Sequence, residues 1–227
     1  MFSVIIPLFN EEENIEPLFR EILLNLNNYS DYEIVLVDDA STDSTLKKIN
    51  NVINKKTKVI RNLKNRGQSY SILNGIKNSS NKIIITIDGD GQNDPADIPK
   101  LLEYYLSYED IQLVAGIRVK RQDSLIKIIS SRLANYIRSK ILKDNCLDTG
   151  CSLKVFNKDI FLEFPFFNGI HRFLPALFIG FGYKAAYINV NHRKRNFGIS
   201  KYGTMNRLFK GIKDIIRVNN ILKKRIK

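Results

Sequence analysis

The chain has 227 residues, of which 44% are hydrophobic and 26% charged, with two cysteines, no tryptophan and a formal charge of +13. That length suits one large domain with a real core, and the composition is that of a globular protein rather than a disordered or fibrous one. The charge is uneven, since residues 1–113 hold 12 Lys and Arg against 17 Asp and Glu while residues 114–227 hold 24 against 6. An acidic first half, with no zinc-finger spacing, RNA-binding aromatic signature or basic zipper, argues against nucleic acid as the partner. A basic second half fits an anionic membrane surface or a phosphorylated substrate.

Along the chain, apolar β-branched runs predict strands over Phe2 to Pro7, Glu33 to Val37, Lys58 to Arg61, Lys82 to Ile87 and Gln112 to Ile117. Between them, Ile15 to Leu26, Ser44 to Ile53, Gln68 to Lys77 and Ile98 to Ser107 repeat apolar residues at helical spacing. Thr42, Asp43 and Ser44 mark one helix start, and Pro95, Asp97 and Pro99 another. Strand and helix in alternation predict an α/β fold with an open, mostly parallel sheet covered on both faces.

In the second half, Ser124 to Leu142 carries Leu125, Ile129, Leu133, Ile137 and Ile141 at every fourth position, with Lys127, Arg132, Arg138 and Lys140 interspersed. A second pattern after Tyr202 places Met205, Leu208, Phe209, Ile212, Ile215 and Ile216 among Arg207, Lys210, Lys213 and Arg217. Such basic amphipathic helices either lie in a lipid headgroup layer or pack on a core. The tail Lys223-Lys224-Arg225-Ile226-Lys227 adds attraction to an anionic surface. No window holds the eighteen or so consecutive apolar residues that a membrane span needs, and Phe173 to Val190 is broken by Pro175, Gly180, Gly182 and Lys184. The N-terminus enters a strand at once, without the features of a signal peptide. Cys146 and Cys151 have no partner cluster, which argues against a zinc site or a disulfide framework and points to a reducing cytoplasm.

In a parallel sheet the ligand sits beyond the carboxyl ends of the strands. Asn10-Glu11, Asp38-Asp39, the NLKNRGQ run from Asn62 to Gln68 and the DGDGQ run from Asp88 to Gln92 each follow one of the first four strands. Any one of these clusters reads as a helix cap or a turn; four at equivalent strand ends read as one site. Asp88, Asp90 and Gln92 alternate, separated by Gly89 and Gly91, and offer hard oxygen ligands of the kind that Mg2+ or Mn2+ accepts alongside a substrate phosphate. The phosphate-loop pattern GxxxxGK[ST] and the dinucleotide pattern GxGxxG are both absent.

The segments PLFNEEENI (7–15), VDDASTDST (37–45), NRGQ (65–68) and IDGDGQNDPADIP (87–99) resemble the inverting glycosyltransferases of family 2. DTGCSLKVF (148–156), HRFLPAL (171–177) and RNFGISKYG (195–203) resemble the branch that contains dolichol-phosphate mannosyltransferase and bacterial polyprenyl-phosphate glycosyltransferases. The similarity runs from about residue 3 to about residue 215. It implies a single-domain nucleotide-sugar glycosyltransferase fold of the GT-A, Rossmann-like type, with C-terminal amphipathic helices. Within residues 1–227 it implies a donor-binding half (1–118), an acceptor-binding half (119–203) and a basic amphipathic C-terminal helix (204–227).

By the same resemblance, the donor contacts are Pro7, Phe9, Glu11, Val37, Asp39, Asp88, Gly89, Asp90, Arg118, Arg195 and Lys201; Phe9 stands where Tyr is more usual. Asp90 and Gln92 match the ligands of a Mg2+ or Mn2+ ion, and Asp90 and Arg118 are candidate catalytic residues, with Arg118, Arg195 and Lys201 screening a departing diphosphate. Asp148 is a third catalytic candidate, as an orienting group or a turn former. Ser131, Arg132, His171 and Arg172 are candidate contacts for polyprenyl phosphate. Arg193 and Lys194 are expected to face solvent or lipid headgroups.

The implied function is metal-dependent, inverting transfer of a sugar from a UDP- or GDP-linked donor to polyprenyl phosphate at the cytoplasmic membrane face, in cell-envelope glycan synthesis. The protein would be peripheral on that face, and a homo-oligomer stays open. Processive synthases of the family, with their QxxRW segment and membrane spans, are excluded by the absence of tryptophan. Two alternatives are a family 2 enzyme acting on a soluble or glycan hydroxyl, and an inactive nucleotide-binding or membrane-docking module.

Overall fold

The structure, a computed structural model, describes residues 1–119, 135–194 and 204–225. Chain order is β1 (Phe2–Leu8), α1 (Ile15–Asn25), β2 (Tyr32–Asp38), α2 (Thr45–Val52), β3 (Thr57–Arg61), α3 (Gln68–Asn78), β4 (Ile83–Thr86), α4 (Asp97–Ser107) and β5 (Ile111–Arg118). There follow α5 (residues 135–142), β6 (Lys154–Asn157), α6 (Lys158–Glu163), a 3-10 turn (Ile170–Arg172), α7 (Leu174–Gly180), β7 (Lys184–Val190) and α8 (Thr204–Arg225). The five expected strands and four expected helices of the first half all form, each within about two residues of its expected ends. The 3-10 turn and α7 bury Phe173, Leu174 and Leu177, so the HRFLPAL segment also builds core.

The strands make one sheet in the order β3-β2-β1-β4-β6-β5-β7. Among the described strands only β6 runs antiparallel to its neighbours, β4 and β5; the other strand pairings are parallel. The sequence pattern did not reveal β6 or β7. Because β6 comes from the second half of the chain and lies between two strands of the first, the expected donor and acceptor halves share a sheet.

Strand residues alternate between two cores, as the pleat requires. Val4, Ile6 and Leu8 of β1, Ile34 and Leu36 of β2, and Ile85 of β4 pack with Ile15, Phe19 and Ile22 of α1 and Leu101 and Leu102 of α4. Ile5, Val35, Val37 and Ile84 point to the other face, onto Ile72 and Ile76 of α3, Phe161, Phe178 of α7 and Val218 of α8. Two covered faces leave the strand ends as the place where polar groups can converge on a ligand. The carboxyl ends of β1 to β5 and the amino end of β6 all lie along that one rim.

Among the described residues no helix is long and apolar enough to cross a membrane. The two amphipathic helices expose part of their apolar stripe. Ile137 and Ile141 of α5 are 49% and 46% exposed, and Ile212 and Ile216 of α8 are 48% and 57% exposed. The expectation for Arg138 is corrected: its side chain does not lie among interfacial charges but is buried, held by both carboxylate oxygens of buried Asp144 and donating to the Cys146 carbonyl at 2.6 Å. On α5 the cation thus faces inward and the isoleucines outward. The expected stripe residues Leu125, Ile129 and Leu133 lie outside the described residues.

Candidate active site

The site is built from the loops that leave the rim. After β1, the loop at Asn10 and Glu11 is laced to the loop before α2: Asn10 N donates to Ser41 Oγ (3.0 Å), Thr42 N to Asn10 Oδ1 (2.8 Å) and Glu11 N to Thr45 Oγ1 (2.8 Å). Glu11 is buried and accepts from Asn14 Nδ2 at 2.8 Å. These bonds fix Pro7, Phe9 and Glu11 beside the end of β2, where Val37 and Asp39 are buried.

Asp39 organises the next loop rather than pointing into open space. Its carboxylate accepts from Asn62 Nδ2 (2.7 Å), Arg66 N (3.0 Å) and Gly67 N (2.8 Å), so one anion orders the NRG turn ahead of α3. That turn delivers Gln68, whose amide nitrogen donates to Asp88 Oδ1 at 2.6 Å. The neighbouring Ser69 hydroxyl accepts from Gly169 N (2.7 Å) and meets His171 Nδ1 (2.7 Å). A hydroxyl has one proton; with its oxygen accepting from Gly169, that proton is available to His171 Nδ1. Gln68 and Ser69 therefore join the carboxylate loop to the turn that carries His171 and Arg172.

The carboxylate loop follows β4 closely against β1. A Cβ on Gly89 would lie 2.3 Å from Leu8 Cδ2 and 3.1 Å from the Pro7 carbonyl, so a larger residue would have to push buried Leu8 and the β1 backbone aside. Beyond it, Gln92 N donates to Asp90 Oδ1 at 3.1 Å, and Gly91 takes a positive φ of 71° to close the turn. Asp88 N donates to Ser152 Oγ at 3.2 Å, and Ser152 in turn donates to Asn93 Oδ1 at 2.5 Å. Although Asp88 keeps some surface, its carboxyl is closely packed and is pushed up to about 7, first by burial and then by the adjacent Asp90 charge.

Arg118, at the end of β5, meets Asp148 in a fork: Nε to Oδ2 and Nη2 to Oδ1, both 2.7 Å, with Arg118 N also donating to Oδ2 at 3.1 Å. Gly150 makes room for it, since a Cβ there would sit 2.7 Å from Arg118 Nη2. Two of the three catalytic candidates are thus partners, and Asp148 orients Arg118. Beneath them lies Lys154 of β6, buried, donating to the Cys151 carbonyl. Burial pulls its ammonium below the ordinary lysine value, opposed by the nearby thiols and by the Asp88 and Asp148 carboxylates. The sequence placed Gln68 in the NRGQ segment and Ser152 and Lys154 in DTGCSLKVF but assigned none of them a role; for Lys154 a further signal was a lone lysine inside the apolar run LKVF. Cys146 and Cys151 are free, buried thiols pushed up to about 11 by burial.

Of the remaining expected residues, His171 lies against Ser69, and Arg172 donates to Asp214 Oδ2 of α8 at 2.9 Å. Ser131, Arg132, Arg195 and Lys201 lie outside the described residues. Lys194 is exposed as expected, whereas the expectation for Arg193 is corrected: it keeps part of its surface but is engaged, binding Glu21 Oε2 at 2.5 Å and Asp94 Oδ1 at 2.6 Å. Among the described residues no three His, Cys, Asp or Glu side chains cluster as a metal-binding group.

Comparison with known proteins places this geometry. Residues 3–164 match the Glycosyl transferase family 2 profile. The chain is 34% identical over 223 residues to the dodecaprenyl-phosphate galacturonate synthase of Rhizobium johnstonii, covering 95% of this chain and 65% of that protein. It is 33% identical over 204 residues to the undecaprenyl-phosphate 4-deoxy-4-formamido-L-arabinose transferase of Pectobacterium carotovorum, covering 88% of this chain and 62% of that protein. The chain therefore spans less than two thirds of the length of either relative. The glucosyl-3-phosphoglycerate synthase of Mycobacterium tuberculosis, crystallised with Mn2+, UDP-glucose and glycerol 3-phosphate, superposes with a TM-score of 0.71 at 18% identity, covering 96% of this chain and 78% of that one. That likeness establishes the GT-A glycosyltransferase fold. On the family match and the two sequence relatives together, the chain belongs to glycosyl transferase family 2.

Proposed function

We propose that the protein transfers a sugar, with inversion, from a UDP- or GDP-linked donor to polyprenyl phosphate, as a peripheral protein on the cytoplasmic membrane face. The acceptor is carried by one observation: α5 and α8 turn Ile137, Ile141, Ile212 and Ile216 outward, beside exposed Lys140 and Lys213. An apolar stripe flanked by cations suits a headgroup layer. Both sequence relatives bear the names of enzymes that use a polyprenyl phosphate, which supports the same reading.

The donor reading rests on the rim. Residues 1–118 would hold the nucleotide sugar, 119–203 the acceptor, and 204–227 the lipid surface. The residues at 88–92 fit a hard divalent cation: two alternate carboxylates and an amide lie on one tight turn, and the burial and adjacent Asp90 charge that raise Asp88 are what a cation would offset. Mg2+ and Mn2+ accept one or two protein carboxylates and fill their other positions with water and phosphate oxygens. Asp90 and Gln92 would hold the ion, which when bound would neutralise charge developing on the diphosphate. Arg118, aimed by Asp148, supplies a planar fork for the same oxygens. Gln68 holds Asp88 in place, and the Asp39-ordered loop closes the nucleoside side.

A phosphate acceptor needs no general base. With a second pKa near 6, roughly nine-tenths of it is dianionic at pH 7. The work left to the protein is alignment and charge screening, consistent with an Asp148 that is engaged with Arg118. The test is incubation with Mg2+ or Mn2+, polyprenyl phosphate and a panel of labelled UDP- and GDP-sugars. Cation-dependent label in the organic phase is the expected result; label on a water-soluble hydroxyl compound alone would overturn the acceptor assignment.

A further inference from the structure

We propose that Arg193 is a positioning residue for the carboxylate loop, setting how well that loop binds a cation and a nucleotide diphosphate. This rests on the donor site proposed above and adds a residue that touches neither ligand.

The chain leaving β7 runs back along the segment that follows Gln92. Asn191 N donates to Asp97 Oδ2 at 2.7 Å, His192 bridges Asn93 in antiparallel fashion, and Arg193 N donates to the Gln92 carbonyl at 2.9 Å. The peptide groups of Gln92 are thus held at both ends, its N–H on Asp90 Oδ1 and its C=O on Arg193 N. The Arg193 side chain locks the pairing from outside: one terminal nitrogen binds Asp94 on the loop at 2.6 Å, the other Glu21 on α1 at 2.5 Å. These partners lie 99 and 172 positions away in sequence, so a single guanidinium ties the loop to a helix of the rigid core. The planar fork meets the two carboxylates with separate terminal nitrogens in a fixed geometry, which the single ammonium of a lysine does not reproduce.

The Arg193 and Glu21 side chains are each 40% exposed and Asp94 is 14% exposed, so with the cation still in water these pairs add little to global stability. Their effect falls on local geometry, where oxygen ligands must be held to a fraction of an ångström. This separates a positioning role from a merely structural one.

The experiment is calorimetric titration of UDP and of GDP, each with Mn2+ present, and of uridine and guanosine as probes without a diphosphate. For whichever nucleotide the wild type binds, Arg193→Met is expected to weaken binding about tenfold, equivalent to about 1.4 kcal/mol. Binding of the matching nucleoside and the urea midpoint should stay unchanged. Arg193→Lys should recover part of the loss, and Glu21→Gln, remote from the nucleotide, should weaken Mn2+-dependent binding in the same direction. Nucleotide affinity within twofold of wild type in Arg193→Met would overturn the proposal, as would an equal loss for the nucleoside. A wild type that binds neither nucleotide with Mn2+ would instead overturn the donor site itself.

Discussion

Asp148→Asn tests whether this carboxylate orients Arg118 or acts as a base. The substitution keeps the shape and an accepting oxygen but removes the charge that faces the guanidinium through two bonds of 2.7 Å. The side chains are 15% exposed for Arg118 and 7% for Asp148, so little water would take over. Breaking such a pair on one side costs about 3–5 kcal/mol, and the residual exposure of Arg118 favours the lower end. At about 3 kcal/mol, a protein of this size should lose roughly 6–12 °C of melting temperature. Removing the stranded cation as well, in Asp148→Asn with Arg118→Met, should recover most of that stability. Thermal and urea unfolding of the three variants without ligand gives the cycle. With Mn2+ and nucleotide present, Asp148→Asn should recover stability, since a diphosphate offers the unpaired guanidinium a new partner. A loss below about 1 kcal/mol, or a double variant no better than the single one, would refute the pairing argument. Turnover that falls by the factor of about 100 to 10,000 typical of a lost general base, in a variant that still binds donor, would refute the orienting role.

Other substitutions probe the loop and the membrane face. Gly89→Ala pushes a methyl against buried Leu8 and the Pro7 carbonyl; it should destabilise by about 1–3 kcal/mol in urea and abolish Mn2+-dependent nucleotide binding. Folded Asp88 titrates near 7 against an ordinary 3.8, so the folded protein keeps a proton that the unfolded chain has released. Its contribution to ligand-free stability is therefore fully present below that ordinary value and lost as pH climbs through about 7. Mn2+ affinity should rise over the same interval, because the ion displaces the proton. Both trends, followed by urea midpoint and Mn2+ titration, should flatten in Asp88→Asn. Replacing Ile137, Ile141, Ile212 and Ile216 together by Ser should reduce binding to anionic phospholipid vesicles about a thousandfold, at about 1 kcal/mol for each half-exposed isoleucine. Nucleotide binding, measured alongside, should not change.

The first half of the fold was legible because its signals are local. β1, β2, β4 and β5 are built on apolar, β-branched runs and β3 on a shorter Val-Ile pair, each bounded by turn residues, and α1 to α4 repeat at helical spacing, so the strand ends and the polar clusters after them were placed on one rim. β6 was not legible: four residues with a buried lysine in a Lys-Val-Phe-Asn run carry no period, and its place between β4 and β5 is decided by pairing with strands more than 35 residues earlier. Charges misled for the same reason. Arg193 and Arg138 stand in basic stretches that read as exposed, yet their partners are Glu21 and Asp94 for one and buried Asp144 for the other. Motif matching brought Arg118 and Asp148 separately to the site; only the structure shows that one holds the other. The link from Gln68 and Ser69 to Asp88 and His171 spans 20 and 102 positions, beyond any local pattern.

The most direct measurement is electron paramagnetic resonance of Mn2+ titrated into the protein with UDP or GDP, for wild type and for Asp90→Asn. Loss of the free-ion signal with one nucleotide in the wild type, absent in Asp90→Asn and reversed by a chelator, is the predicted result. Equal Mn2+ uptake by both proteins, or no uptake by the wild type with either nucleotide, would contradict a cation held between Asp90 and a nucleotide diphosphate.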